Sequence, residues 1–139
     1  MVRFIFTFFS WLPLPLVHRL GNVLGRSLVL FSNDLRDTAN INVQRCFPEW
    51  TQAKQQQLVQ SCLQETAKAT FETGALWLWP VSRVMTLVRE VSGEDLLSQA
   101  MAKGKGVILA IPHLGAWEMV GLYGSSHWPM TSLYRPPRQ

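Results

Sequence analysis

Apolar positions along the chain follow three patterns, and each predicts a different element. The first is an uncharged run from Phe4 to Val17. It is shorter than the roughly 20 residues a helix needs to span a bilayer, and Pro13 and Pro15 interrupt any helix through it. The run reads as an N-terminal apolar, membrane-associated helix. It would place Phe4, Phe6, Phe8, Phe9 and Trp11 in the acyl boundary and Arg3, His18, Arg19 and Arg26 at anionic headgroups. A buried core helix is the alternative that a run of this length also permits. A cleaved leader fits less well, because Arg3 alone supplies basic charge ahead of the run and no small-x-small site follows it.

The second pattern has helical spacing. Composition turns polar from Ser32 to Asn42, and Pro48 in "RCFPEW" ends any helix before it. Thr51 can then cap a long helix in which Val59, Leu63, Ala67, Phe71 and Ala75 form an i, i+4 ladder flanked by Leu58 and Cys62. Pro80 in "WLWP" closes it.

The third pattern predicts strands. "TLVREVSG", ending at Gly93, alternates in polarity, and "VILAI", residues 107–111, is an aliphatic run of the kind covered on both faces of a parallel sheet. Between them "EDLLSQAMAKGKG" reads as a short helix with acids first, lysines last and glycines beyond, as the helix dipole favours. A further helix of about three turns follows "AIPHLGAWE", then "SSHWP" as a loop and "MTSLY" as another strand. Strand, helix, strand with a connection of this length is a βαβ unit with a parallel sheet. Two regions result: a membrane-associated segment over 1–31 and an α/β domain over 32–139.

Composition narrows the function classes. The 139 residues are 47% hydrophobic and 16% charged, too apolar for disorder and poor in charge for a freely soluble protein. A net charge of +4 suits an acidic partner, but the basic residues are scattered and the aromatics lie in apolar runs. Anionic lipid therefore fits better than nucleic acid. Cys46 and Cys62 stand in no ligand or redox spacing and read as reduced core thiols.

Candidate chemistry concentrates at the end of "VILAI", where open parallel sheets gather ligands and catalytic groups. His113 follows Pro112 two residues beyond the last aliphatic, and Gly115 and Ala116 leave room for backbone to approach a substrate. Trp117 opens the next helix and Glu118 falls in its first turn, where a carboxylate is favoured and can point back at the imidazole. A carboxylate that fixes the tautomer of a histidine makes it a general base toward a hydroxyl. The same spacing also describes a surface pair capping a helix. A metal site is disfavoured, because no second histidine or third carboxylate lies nearby. His18 and His127 lack an acidic residue at the productive spacing.

The stretch "GKGVILAIPHLGAWEMVGLY" resembles the signature of the lipid A biosynthesis acyltransferases, the lauroyl and myristoyl transferases of the HtrB type. These lie within the wider glycerolipid acyltransferase group, marked by His, four residues, then Asp or Glu. Three further pieces agree in order: Leu12–Pro13, the "N…CFPE" stretch from Asn40 to Glu49, and "LYRP" from Leu133 to Pro136. The resemblance implies a glycerolipid-acyltransferase-like mixed sheet flanked by helices. It implies an enzyme at the cytoplasmic face of the inner membrane that moves a fatty acyl chain from an acyl carrier protein thioester to a hydroxyl of a lipid A precursor, with no cofactor. Carried over by position, His113 is the general base and Glu118 its partner, while Arg135 is a candidate for a phosphate or the developing oxyanion, or a solvated loop arginine. Family members run to roughly twice this length, and their later arginine and acidic pieces have no counterpart here. The chain therefore reads as a truncated, N-terminal portion, inactive and aggregation-prone in isolation. Two other readings stay open: a non-catalytic membrane-associated fragment that binds lipid or acyl carrier protein, and an acyltransferase acting on another glycolipid or a lysophospholipid.

Overall fold

The computed structural model describes residues 2–133, and they form seven helices: α1 (Val2–Trp11), α2 (Leu14–Leu28), α3 (Asp34–Cys46), α4 (Gln52–Leu78), α5 (Val81–Met85), α6 (Glu94–Ala102) and α7 (Glu118–His127). Two compact units divide the chain, Met1–Trp79 and Pro80–Gln139.

In the first unit α1, α2 and α3 all pack on α4. The predicted ladder is the spine of that packing: Val59, Leu63, Ala67 and Ala75 are buried, and Phe71 stacks on Phe9 with ring centroids 4.1 Å apart. Val43 of α3 joins Val59 and Leu63 in the core, with Leu28, Val29 and Phe47 against it. Caps define the helix ends. The Thr51 hydroxyl accepts from the Lys54 amide and starts α4. Asn33 works at two ends, accepting from the Arg36 amide to open α3 and donating to the Leu28 carbonyl at the end of α2.

Three glycines let the helices approach. A β-carbon on Gly21 would lie 2.8 Å from the Cα of Lys68, and one on Gly25 would collide with the Gln64 backbone. Gly74 of α4 makes the same close approach to the Phe6 carbonyl of α1. Helix backbones in contact exclude water and gain dispersion along their whole seam.

The expectation of an α/β fold is overturned. Among the described residues there is no strand, and "VILAI", "TLVREVSG" and "MTS" carry no sheet. An aliphatic run becomes a strand only when another segment takes its backbone hydrogen bonds. Among the described residues, 107–111 have no such neighbour, and Ile108 is 97% exposed. Residues 86–93 instead leave α5 through a turn and enter α6 at Gly93, whose φ is +81°.

The single apolar helix expected at the N-terminus is also corrected. It is two helices, broken at Leu12–Pro13, and both are joined to α4 through the glycine contacts. No helix among the described residues is long and apolar enough to cross a membrane. Nor are the cysteines core thiols: Cys46 at the end of α3 and Cys62 on the outer face of α4 are both exposed.

The second unit holds α5, α6 and α7, with Val84 its best-buried side chain. Tyr123 of α7 donates its hydroxyl to Glu94 at the start of α6, 3.0 Å away. Gly124 is buried where Met130 folds back, so that a β-carbon there would strike the Met130 sulfur.

Candidate functional site

His113 lies on an irregular segment between Gly106 and α7, and it is exposed. Two local features shape this segment. The Leu114 amide donates to the Pro112 carbonyl at 2.8 Å, a tight turn centred on His113. Gly115 then takes φ +57°, a left-handed conformation that costs other L-residues about 1–2 kcal/mol, while the space around it is open.

The turn returns the chain so that the His113 ring packs against Trp117, with centroids 4.6 Å apart and planes inclined at 39°. Trp117 has helical angles, its carbonyl accepting from the Val120 amide at 3.1 Å. Glu118 follows as the first residue of α7 and is half-buried. A carboxylate there meets the unsatisfied amides and positive dipole end of the helix. The structure therefore brings His113 and Trp117 into contact and sets Glu118 beside them in the chain; Gly115 provides the turn between. Arg135 lies outside the described residues.

An exposed imidazole held against an indole, next to a carboxylate at a helix start, can accept a proton from a hydroxyl brought to it. Among the described residues no group of three or more His, Cys, Asp or Glu side chains is placed to hold a metal ion.

Other polar constellations came from pairings that spacing alone could not reveal. His18 of α2 meets Glu72 of α4, with Nε2 and Oε2 2.8 Å apart. The two are far apart in sequence, and only the packing of α2 on α4 joins them. In the second unit an open polar cleft of about 410 Å³ is lined by Arg89, Glu90, Glu94, Tyr123 and His127, among others. His127 donates Nδ1–H to the Tyr123 carbonyl at 2.8 Å and stacks on the Tyr123 ring at 4.3 Å. Partial burial, then the hydrogen bond to Glu94 and its charge, hold the Tyr123 phenol above its ordinary pKa.

The family model described as bacterial lipid A biosynthesis acyltransferase matches residues 1–139. The lipid A biosynthesis lauroyltransferase of Escherichia coli is 27% identical over 125 residues, 90% of this chain and 40% of that protein. The lipid A biosynthesis palmitoleoyltransferase of the same organism is 30% identical over the same span and shares. A lipid A biosynthesis acyltransferase of Haemophilus influenzae is 29% identical over 130 residues, 93% of this chain and 41% of that protein. The chain thus spans about 40% of the length of the curated relatives it matches. No solved structure matches it.

Proposed function

We propose, for a chain that belongs to the bacterial lipid A biosynthesis acyltransferase family, that it carries the proton-transfer half of an acyl-transfer site. The donor is an acyl carrier protein thioester and the acceptor a hydroxyl of a lipid A precursor. His113 takes the hydroxyl proton as the oxygen attacks the thioester carbonyl. The tetrahedral intermediate collapses, the carbon–sulfur bond breaks, and the proton passes to the leaving thiol. No acyl-enzyme forms.

The observation that supports this reading is the turn at His113, which presents an exposed imidazole against Trp117 with Glu118 at the dipole-positive end of α7. Glu118 stabilises the imidazolium formed in the step. Gly115 keeps the approach to the imidazole clear of side chain, and Trp117 offers an apolar wall to the substrate. Arg135 binds a phosphate of the acceptor or the developing oxyanion. The site works at the cytoplasmic face of the inner membrane. Phe4, Phe8 and Trp11, 82%, 55% and 79% exposed, lie with Arg3 on α1 and favour contact with anionic lipid.

The test is acyl transfer from labelled acyl carrier protein to a lipid A precursor by a family-length protein carrying this segment. His113→Ala is expected to abolish transfer and Glu118→Ala to reduce it by about 10²–10⁴-fold, the usual range for a general base and its support. Near-normal turnover by His113→Ala would sink the assignment.

A further inference from the structure

We infer that a cleft of the first unit, between α3 and the first turns of α4, binds a hydroxyl-rich ring carrying an anionic group, the chemistry of a sugar phosphate or of a lipid headgroup that is a phosphorylated polyol. It does not depend on the acyl-transfer reading above, whose residues lie elsewhere in the chain. The cleft has a volume of about 500 Å³, within the range of about 300–1,000 Å³ common to small-ligand sites. Its floor is aliphatic: Val59 belongs to the core and Val29 packs against that core. Its walls are polar. Arg36 and Asn40 come from α3, and Gln56, Gln57 and Gln60 from α4. Among the described residues no carboxylate lines it.

Helical spacing explains why the cleft exists. Arg36, Asn40 and Val43 stand at i, i+4 and i+7 on one face of α3, and Val43 is seated in the core with Val59 and Leu63. Toward the start of α3 the same face turns polar and meets the glutamines of α4, where close-packed helices would place apolar side chains. The groove stays open there. Arg36 is half-buried and held in position, one Nη1–H donating to the Val29 carbonyl at 3.3 Å, which leaves the rest of the guanidinium fork for a ligand. Asp34 and Asp37 of the same helix do not line the cleft. Among the described residues none takes the side-chain amides of Asn40, Gln56, Gln57 or Gln60.

Those amides select the ligand. Each donates and accepts, as a hydroxyl does, so a ring of hydroxyls satisfies the walls while its C–H face covers the valines. A hydrocarbon chain would bury the amides without partners. A cation would meet Arg36 and no carboxylate, and inorganic phosphate would leave the valine floor uncovered. An anionic substituent on the ring reaches Arg36 and forms a charge-assisted hydrogen bond. Asn40 opens the "N…CFPE" piece, to which proton transfer gives no role.

The experiment is titration of the 139-residue chain with glucose 1-phosphate, read by calorimetry and by the NMR signals of the side-chain amides. Saturable shifts are expected at Asn40, Gln56, Gln57 and Gln60, with glucose and inorganic phosphate each bound about tenfold more weakly or worse. Arg36→Gln should cut affinity for glucose 1-phosphate about tenfold or more and leave that for glucose unchanged. Gln60→Ala should weaken both about threefold to tenfold. Arg45→Gln removes the same charge from the exposed last turn of α3 and should change neither. Thermal unfolding identifies any variant that fails to fold, and Gln57→Ala, at an exposed position, repeats the test of Gln60→Ala. Sedimentation with phosphatidylcholine vesicles holding phosphatidylinositol or phosphatidylglycerol separates the two sources. Arg36-dependent retention on the inositol lipid beyond that on the glycerol lipid assigns a headgroup; equal retention, with glucose 1-phosphate bound, assigns a free ligand. Absence of both saturable shifts and inositol-specific retention overturns the inference. So does equal binding of inorganic phosphate, or a loss in Arg45→Gln as large as in Arg36→Gln.

Discussion

His18 Nε2 and Glu72 Oε2 meet at 2.8 Å across the seam between α2 and α4. The pair stands one turn from the place where Gly21 brings α2 onto the Lys68 backbone. It thus marks a register already set by backbone contact. The Glu72 side chain is 18% exposed and that of His18 43%, so solvent screens much of their attraction. Replacing either partner should lower the stability of the first unit by no more than about 1 kcal/mol. A double-mutant cycle of His18→Ala and Glu72→Gln in urea unfolding measures the coupling. A coupling of several kcal/mol would mean that the pair, rather than the glycines, sets the register.

The glycines make the sharper prediction. A helix-interior Gly→Ala change ordinarily gains about 1 kcal/mol. At Gly25 that gain is overwhelmed, because the added methyl would occupy the place of the Gln64 backbone and force the helices apart. Gly25→Ala should therefore destabilise, by about 1–3 kcal/mol on the scale of overpacked cores. At Gly121 of α7 nothing lies within 4 Å of the position a β-carbon would take. Gly121→Ala should stabilise by up to about 1 kcal/mol. Thermal unfolding of the two variants beside the parent checks the opposite signs.

What could be read from sequence divides along the same physical line. Elements whose causes are local were legible. Thr51 caps α4 through a lysine three residues on, the apolar ladder from Val59 to Ala75 turns inward at helical spacing, and Pro80 stands just beyond the end of α4. The acidic start and glycine-rich end of α6 were legible for the same reason. Elements that need a distant partner were not. "VILAI" has the composition of a buried strand, but composition supplies no neighbour for its amides, and Ile108 remains exposed. Cys62 flanks the ladder in sequence yet falls outside the buried stripe, because α4 buries a narrower face than its apolar residues suggest. His18 was set aside for want of a nearby acid, and the acid came from another helix. The His113 segment was legible as a sequence of residue types. Its tight turn, the left-handed Gly115 and the contact with Trp117 were not.

Exposure of the two cysteines gives a direct check on packing. Cys46 and Cys62 are both exposed, and each should react with an aromatic disulfide reagent in the native protein without denaturant. Two fast equivalents are expected; thiols that react only after unfolding would place them in a core.

Tyr123 gives a prediction in alkaline solution. Its phenol is held above the ordinary value by partial burial, then by the hydrogen bond to Glu94 and the charge there. The unfolded chain ionises at an ordinary tyrosine pKa, about 10. The neutral phenol thus favours the folded state, and that contribution is complete below about pH 10. It is lost as pH rises through the folded value, because only the unfolded chain then gains by releasing the proton. Tyr123→Phe should flatten the alkaline loss of stability. Glu94→Gln, which keeps an acceptor and removes the charge, should bring the tyrosinate absorbance titration of Tyr123 toward the ordinary value. An unchanged titration in Glu94→Gln would leave burial as the whole cause.

Gly115 separates backbone conformation from space at the candidate site. Apart from its chain neighbours, no heavy atom of the described residues lies within 4 Å of the position its β-carbon would occupy, so a small side chain meets no obstacle. Its φ of +57° is nevertheless a left-handed conformation. Forcing most L-residues into it costs about 1–2 kcal/mol, while asparagine visits it more readily because its side chain can bond the local backbone. The turn that sets His113 against Trp117 runs through this residue, so relieving the strain by moving φ would part the two rings. In a family-length protein, acyl transfer should fall in the order Gly115→Asn, Gly115→Ala, Gly115→Val, with β-branched valine the worst fit to positive φ. The loss should appear in kcat more than in KM, since the substitution disturbs the placement of the base that takes the proton. If alanine and asparagine proved equal to glycine, the left-handed turn would have no part in placing His113. If bulk alone set the order, alanine would outperform the larger asparagine.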